Sequence, residues 1–128
     1  MATGLAAAVA NGFLDAIGNA ANYTAPTANW VKLHVGDPGA AGATNPATET
    51  TRKQASFAAA ASGAITTDAA LTWTNVAGTE DYTFFSMHDA AAAGAFIGSG
   101  SVTANAVVAG DSFTVATGDL DLSLSLAA

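Results

Sequence analysis

The sequence has no cysteine, and its only basic residues are Lys32, Arg52 and Lys53. Without cysteine, disulfide bonds and thiolate metal sites are excluded. Ten acidic residues give the chain a formal net charge of −7. Because such a surface repels phosphate backbones, we do not expect direct binding to nucleic acid.

Charge of either sign is also scarce, since charged residues make up 10% of the chain. Soluble globular domains carry roughly 25%, so this composition favours a protein that packs against neighbours. No apolar run reaches the length needed to cross a bilayer, and we expect no membrane partner. The alanine-rich N-terminus has no Lys or Arg before its apolar run and includes Asn11, so we do not expect a secretory signal.

A length of 128 residues is enough for one domain with one core. Residues 3–19 are predicted to be helical, with Thr3 as N-cap and Gly18-Asn19 as the stop. Its apolar stripe has a period of four and comprises Leu5, Val9, Phe13 and Ile17. This stripe either covers one end of the β core or packs on another subunit. We predict an N-terminal helix and linker over 1–28 and a β-sandwich over 29–128, within one structural domain.

Residues 30–35 alternate as a short strand before the chain reaches Gly36-Asp37-Pro38-Gly39, which predicts a turn. The alternation places Val31, Leu33 and Val35 on one face, and Trp30, Lys32 and His34 on the other. The loop that follows, over residues 36–51, is long for a compact domain, and we expect it to lie at an interface.

Further strands are predicted over 52–57, 64–73, 80–89, 95–103 and 119–126. The segment 107–115 is predicted to turn at Ala109-Gly110-Asp111 and then to direct Phe113 and Val115 inward. Strand 80–89 has apolar side chains on both faces and is predicted to be central, with Phe85 and Met87 opposite the set Tyr82, Phe84, Ser86 and His88. The segment DLDLSLSL predicts a last strand that buries Leu120, Leu122, Leu124 and Leu126 on one face. The fold class is therefore mainly β: an antiparallel β-sandwich of about seven or eight strands with one N-terminal α-helix.

No group of residues in the sequence makes a convincing active site or metal site. Ser86, His88 and Asp89 do not form a nucleophilic triad on a strand, because Asp89 points to the opposite face. The set His34, Asp37, His88 and Asp89 matches no short metal motif, and we expect both histidines to bond neighbouring backbone. The side chains of Glu80 and Asp81 are expected to diverge at a turn, and those of Asp119 and Asp121 are expected to lie on a solvated face. A calcium site built from Asp111, Asp119 and Asp121 has no supporting loop motif. We therefore predict no enzyme activity, no cofactor, and no catalytic, cofactor-binding or metal residues.

Three segments, 31–65, 71–102 and 109–127, resemble a family of small virion proteins of tailed phages that infect actinobacteria. Members of that family are labelled minor tail or tail-fibre proteins. The shared pattern begins with Leu-His-x-Gly-Asp-Pro-Gly at 33–39 and a Thr-Arg-Lys-Gln strand ending in Phe at 51–57. It continues with Trp73, Tyr-Thr-x-Phe-Ser at 82–86, Asp-Ala-Ala followed by Gly at 89–94, and a closing Gly-Asp-Leu strand. The resemblance implies a structural role in an assembled particle and supplies no catalytic or ligand residues.

Three hypotheses for function follow from the composition and the resemblance. The first is a non-enzymatic minor tail protein at the tail tip or fibre base. The second is a capsid decoration protein on the head surface. The third is a carbohydrate-binding receptor-recognition module that uses Trp30, Trp73 or Tyr82 to stack on a host-surface glycan. The expected partners are other copies of the chain, as a homo-oligomer, and other virion proteins. The expected location is the virion, after synthesis in the host cytoplasm.

Overall fold

A five-stranded antiparallel sheet is the centre of the fold. The computed structural model describes residues 3–127, apart from the side chains at positions 104 and 105. Within that part of the chain there are one helix and nine strands. They are β1 (Gly4–Leu5), α1 (Ala7–Gly18), β2 (Trp30–His34), β3 (Lys53–Gln54), β4 (Ala64–Thr66), β5 (Leu71–Trp73), β6 (Glu80–His88), β7 (Phe96–Val107), β8 (Phe113–Val115) and β9 (Asp121–Ser123).

The strand order in the main sheet is β1-β7-β6-β2-β3, and two ribbons, β4-β9 and β5-β8, complete the sandwich. Every strand pair is antiparallel. The predicted class, an antiparallel β-sandwich with one N-terminal helix, is confirmed. The predicted segment 64–73 divides into β4 and β5. No helix in the described residues is long and apolar enough to span a membrane.

One hydrophobic core lies between the main sheet and the ribbons. The sheet contributes Val31, Leu33, Phe85 and Met87, and the ribbons contribute Trp73 and Phe113. The Phe113 ring lies 5.9 Å from Trp73 and 5.0 Å from Tyr82, measured between ring centroids. The indole N–H of Trp73 donates to the Thr51 carbonyl at 2.7 Å. This bond holds the end of the long loop against the ribbon that carries Trp73.

The alternation in β2 and β6 predicted the core face of the sheet for four residues. Val31, Leu33, Phe85 and Met87 are all buried in the core. Strand β6 is central and covered on both faces, as predicted, because Ser86 and His88 are buried as well. Two assignments were wrong. Val35 is exposed because β2 ends at His34, and Tyr82 lies in the core because the β6–β7 pairing is irregular between Tyr82 and Phe84.

The predicted last strand is shorter than its leucine pattern. Only Asp121–Ser123 pair, and Leu120 alone of the four leucines is fully buried, at 1% exposed. Leu122 is half-buried opposite Ile65, and Leu124 is 59% exposed. The partner strand β4 has three residues, so the pairing ends soon after Ser123. Beyond Ser123 the Leu124 amide still donates to the Gly63 carbonyl at 2.8 Å, but the side chains of Leu124 and Leu126 remain largely exposed.

The helix begins later than predicted. Gly4 and Leu5 pair with Ser99 and Gly98, so these residues are drawn into the sheet and α1 starts after Ala6. The proposed N-cap at Thr3 is therefore wrong, whereas the helix does stop at Gly18, with Asn19 as its C-cap. The backbones of β1 and β7 approach closely at Gly98, because a Cβ there would lie 2.8 Å from the Gly4 carbonyl oxygen. The division of the chain into a helix and linker over 1–28 and a β-sandwich over 29–128 remains a prediction.

Candidate functional site

The outer face of the main sheet carries a buried chain of hydrogen bonds between His34, Ser86 and His88. The β2–β6 register pairs Lys32 with Ser86 and Trp30 with His88, which brings the three polar side chains to one face. The Ser86 hydroxyl lies 2.8 Å from His34 Nε2 and 3.0 Å from His88 Nε2. His34 Nδ1 lies 2.8 Å from the Thr44 carbonyl oxygen. We call this set the His–Ser–His chain.

The Thr44 carbonyl fixes the direction of every hydrogen bond in the His–Ser–His chain. A carbonyl only accepts, so His34 Nδ1 carries the proton and the neutral ring accepts at Nε2. The Ser86 hydroxyl therefore donates to His34 and accepts from His88 Nε2. His88 Nδ1 is then a bare lone pair, and it is buried without a partner in the described residues.

Both histidines are neutral near pH 7. Burial lowers the pKa of His34 below its ordinary value, and the bond to Thr44 opposes this shift only partly. Burial, followed by the nearby charges of Arg52 and Lys32, lowers the pKa of His88 to about 4. Arg52 is fixed in place because its guanidinium donates to the carbonyls of Ala90, at 2.8 Å, and Ala93, at 2.6 Å.

A serine that donates to a neutral, oriented histidine resembles an activated nucleophile. His34 and Ser86 are both 0% exposed, so a substrate does not reach the hydroxyl in this structure. Asp89 does not join the chain, because its Oδ1 accepts from the Ala95 amide at 2.7 Å. We therefore assign the His–Ser–His chain no catalytic role.

The four candidate metal ligands, His34, Asp37, His88 and Asp89, are only partly brought together. His34 and His88 both form hydrogen bonds with Ser86. Asp37 Oδ1 instead accepts from the Gly39 amide, and Asp89 Oδ1 accepts from the Ala95 amide. In the described residues no three His, Asp or Glu side chains form a group that could hold a metal ion. The expectation that histidine rings bond backbone holds for His34 and is wrong for His88, whose partner is Ser86.

The carboxylates of Glu80 and Glu49 hold the end of the long loop in place. The Glu80 carboxylate accepts from the Thr48 amide at 2.8 and 3.1 Å and from the Glu49 amide at 3.3 Å. Glu49 is buried and accepts from the amides of Thr51 and Ala77. Burial alone would raise the pKa of Glu49, but these bonds and Lys53 lower it overall.

The aromatic residues proposed for glycan stacking are mostly unavailable. Trp73 and Tyr82 lie in the hydrophobic core. Trp30 is half-buried beside the strand residues His88 and Gln54. Stacking on a sugar needs an exposed ring face, so only Trp30 remains a candidate for that role.

Among the large apolar side chains in the described residues, the one with the highest exposed fraction lies on α1. Ile17 is 83% exposed and Leu14 is 65% exposed, and no residue of the helix is fully buried. Val9 packs against the core, and Phe13 lies 4.5 Å from the Tyr23 ring centroid. The returning segment after the helix thus covers Phe13 but leaves Leu14 and Ile17 uncovered. We call these two residues the apolar helix face.

Comparison with known families gives one match, which spans residues 4–123 and has the description Podophage GP4 fiber I protein gp80. The chain belongs to this family of phage fibre proteins. The matched region runs from the first residue of β1 to the last residue of β9, so it includes the helix and every strand described above. The resemblance to phage tail-fibre proteins is thereby confirmed at the level of a phage fibre structural protein. No curated protein matches the chain.

Proposed function

We propose that this fibre protein is a non-enzymatic structural component of a tailed-phage virion, located at the tail tip or fibre base. The family match over residues 4–123 carries the proposal. Charged residues make up only 10% of the chain, which supports a protein whose surface is in contact with other subunits. The fibre description of the family favours the tail over the capsid surface.

The apolar helix face supports self-association as the way in which this protein assembles. Leu14 and Ile17 are directed outward on a helix that its own domain covers only in part. Asp15 is the one charged residue between Thr3 and Val31, although the whole chain carries a net charge of −7. Repulsion between acidic copies is therefore weakest at this end, and a second copy of the chain is the partner that we propose for the face.

Light scattering coupled to size exclusion tests the self-association. We expect the wild-type protein to run as an oligomer and the double variant Leu14→Asp/Ile17→Asp to run as a 12.5 kDa monomer. Val108→Asp is a control, because Val108 is an exposed apolar residue that follows β7 and is not part of the helix, and it should stay oligomeric. Far-ultraviolet circular dichroism checks that each variant is folded. A monomeric wild-type protein, or an oligomeric double variant, would contradict the proposal.

The copy number per virion tests the position in the particle. Quantitative mass spectrometry of purified virions should give a few copies per particle, as for a tail tip or fibre base. Hundreds of copies would instead fit a decoration protein on the capsid lattice. The sequence resemblance further favours an actinobacterial host, which adsorption of the virions to actinobacterial cells would test.

A further inference from the structure

Residues 37–47 form a covering loop over the His–Ser–His chain. Pro38 is fully buried in this loop. Gly42 packs so closely on Phe96 that a Cβ at position 42 would lie 2.4 Å from the ring. At its C-terminal end the loop pairs with β2, since the Val35 amide donates to the Asn45 carbonyl at 3.0 Å and the Ala47 amide to Leu33 at 3.1 Å. The outer face of the sheet is thereby closed by the chain's own loop.

His34 joins the centre of the covering loop to the sheet. Its Nδ1–H donates to the Thr44 carbonyl, and Thr44 in turn donates to the Pro38 carbonyl through its amide, at 2.9 Å, and its hydroxyl, at 2.8 Å. The position of Thr44 and Pro38 in the covering loop thus depends on the His34 imidazole, whose other nitrogen accepts from the Ser86 hydroxyl. A change at either histidine is passed to the loop through these few bonds.

An added proton has no stable position while the loop is closed. On His34 Nε2 it would displace the Ser86 proton, which finds a new acceptor at His88 Nε2 only if His88 moves its own proton to the buried, unpartnered Nδ1. On His88 Nδ1 it would form a charged donor with no acceptor among the described residues. In either case a positive charge would be buried, which is costly when the charge is not paired.

The charges that face the two histidines oppose protonation on balance. Lys32 on β2 and Arg52, just before β3, each make a positive charge less favourable at both rings. A protonated His34 does the same to His88. The negative charge of Asp89, which follows β6, has the opposite effect and raises the pKa of His88. Burial is the largest contribution at both rings. An opened loop would return both rings to water, with an ordinary pKa of about 6.5.

We propose that the covering loop is a pH-operated cover, released from the outer face of the main sheet when acid protonates the His–Ser–His chain. Above pH 6.5 the rings are neutral whether the loop is open or closed, so closure is unaffected. Below pH 6.5 the open form takes up protons that the closed form binds only at lower pH, about pH 4 in the case of His88, so closure weakens as the pH falls through this window. Release exposes Pro38, Phe96 and the three polar side chains together.

Amide hydrogen exchange measured by NMR, and corrected for intrinsic rates, tests the proposal on the intact protein. The amides of Val35, Thr44 and Ala47 report on the loop, and those of Thr67 and Val76, which bond Leu120 and Asp111, report on the rest of the sandwich. With a closed-state pKa of about 4 for His88, opening should increase about 25-fold between pH 7 and pH 5. The reference amides should stay protected.

The variant His34→Gln/His88→Gln keeps polar side chains at both positions but does not titrate. Its loop amides should change by less than about twofold over the same range. Asp68→Asn, which removes an exposed carboxylate outside the hydrogen-bonded chain, should keep the full increase. If the double variant fails to fold, His88→Gln alone should still lose most of the increase.

Two results would overturn the proposal. One is loop protection in the wild-type protein that is equal at pH 7 and pH 5. The other is an increase that persists in the glutamine variants, because carboxylates elsewhere would then be responsible. NMR titration of the wild-type imidazoles supplies a further check, since a pKa near 6.5 for His88 in the folded protein removes the basis of the proposal.

Discussion

Replacing Leu120 by alanine should lower the free energy of unfolding by about 3 kcal/mol, whereas Leu124→Ala should change it by less than about 0.5 kcal/mol. The two leucines belong to the same alternating segment and are four residues apart. Leu120 is 1% exposed within the core, and Leu124 is 59% exposed. The first substitution leaves a cavity among packed side chains, and the second removes atoms that are already in water.

Urea unfolding monitored by the fluorescence of Trp30 and Trp73 measures both changes. With a slope of about 1.5 kcal/mol per molar urea, a loss of 3 kcal/mol moves the midpoint down by about 2 M. The Leu124→Ala midpoint should coincide with that of the wild-type protein. The slopes should agree among all three proteins, since neither substitution changes the surface exposed on unfolding by much.

Equal losses for the two variants would refute the reasoning, because Leu124 would then be buried in solution. Dilution separates two causes of such a result. A loss at Leu124 that disappears at low protein concentration would indicate an interface between copies, and one that persists would indicate a longer β9. Leu122→Asp should fall between the two alanine variants, because Leu122 is half-buried against the core.

Three further substitutions test separate parts of the fold. Glu80→Gln removes the charge that accepts the Thr48 and Glu49 amides and should cost about 2 kcal/mol in urea unfolding, while the exposed Asp81→Asn should cost almost nothing. Gly98→Ala places a Cβ against the Gly4 carbonyl and should speed hydrogen exchange of the Ala6 amide, which donates to Ile97. The control Gly18→Ala should leave this exchange rate unchanged, because a Cβ at position 18 meets nothing within 4 Å. Tyr82→Phe should not lower stability in thermal melts, because the buried Tyr82 hydroxyl, whose pKa burial raises to about 12, has no hydrogen-bond partner in the described chain. A loss above about 1 kcal/mol would show that the hydroxyl does have a partner.

The parts of the fold that follow local periodicity were predictable from the sequence. Val31, Leu33, Phe85 and Met87 fall on the core face because a strand with one face in the core must place apolar residues at every second position. The same reasoning failed at Tyr82, where irregular pairing with β7 interrupts the alternation. It also failed for the last leucines, because the length of a strand depends on its partner, and nothing in DLDLSLSL indicates that β4 has three residues.

The His–Ser–His chain was missed for a different reason. Ser86 and His88 were correctly placed on one face, but His34 meets Ser86 from 52 residues away, through a register that sequence alone does not give. Thr44, which sets the direction of the chain, lies in a loop with no periodic signal. A usable signal was nevertheless present, since two central strands each carried a histidine on the face opposite the core. Pairing those strands would have brought the two histidines near each other.

The helix illustrates how tertiary pairing overrides a local pattern. Leu5 fits the four-residue period of the helical stripe, yet it forms β1 because the edge of β7 offers backbone partners at Gly98 and Ser99. The stripe then continues from Val9 to Ile17 along a helix whose far end has no cover in its own domain. This exposed end is the structural reason for proposing assembly.

Electron cryomicroscopy of purified virions tests the central claim most directly. We expect density at the tail tip or fibre base that fits the nine-stranded sandwich, with α1 packed through Leu14 and Ile17 against a neighbouring copy. Virions that lack this chain altogether, while the protein accumulates free in the infected cell, would contradict the account.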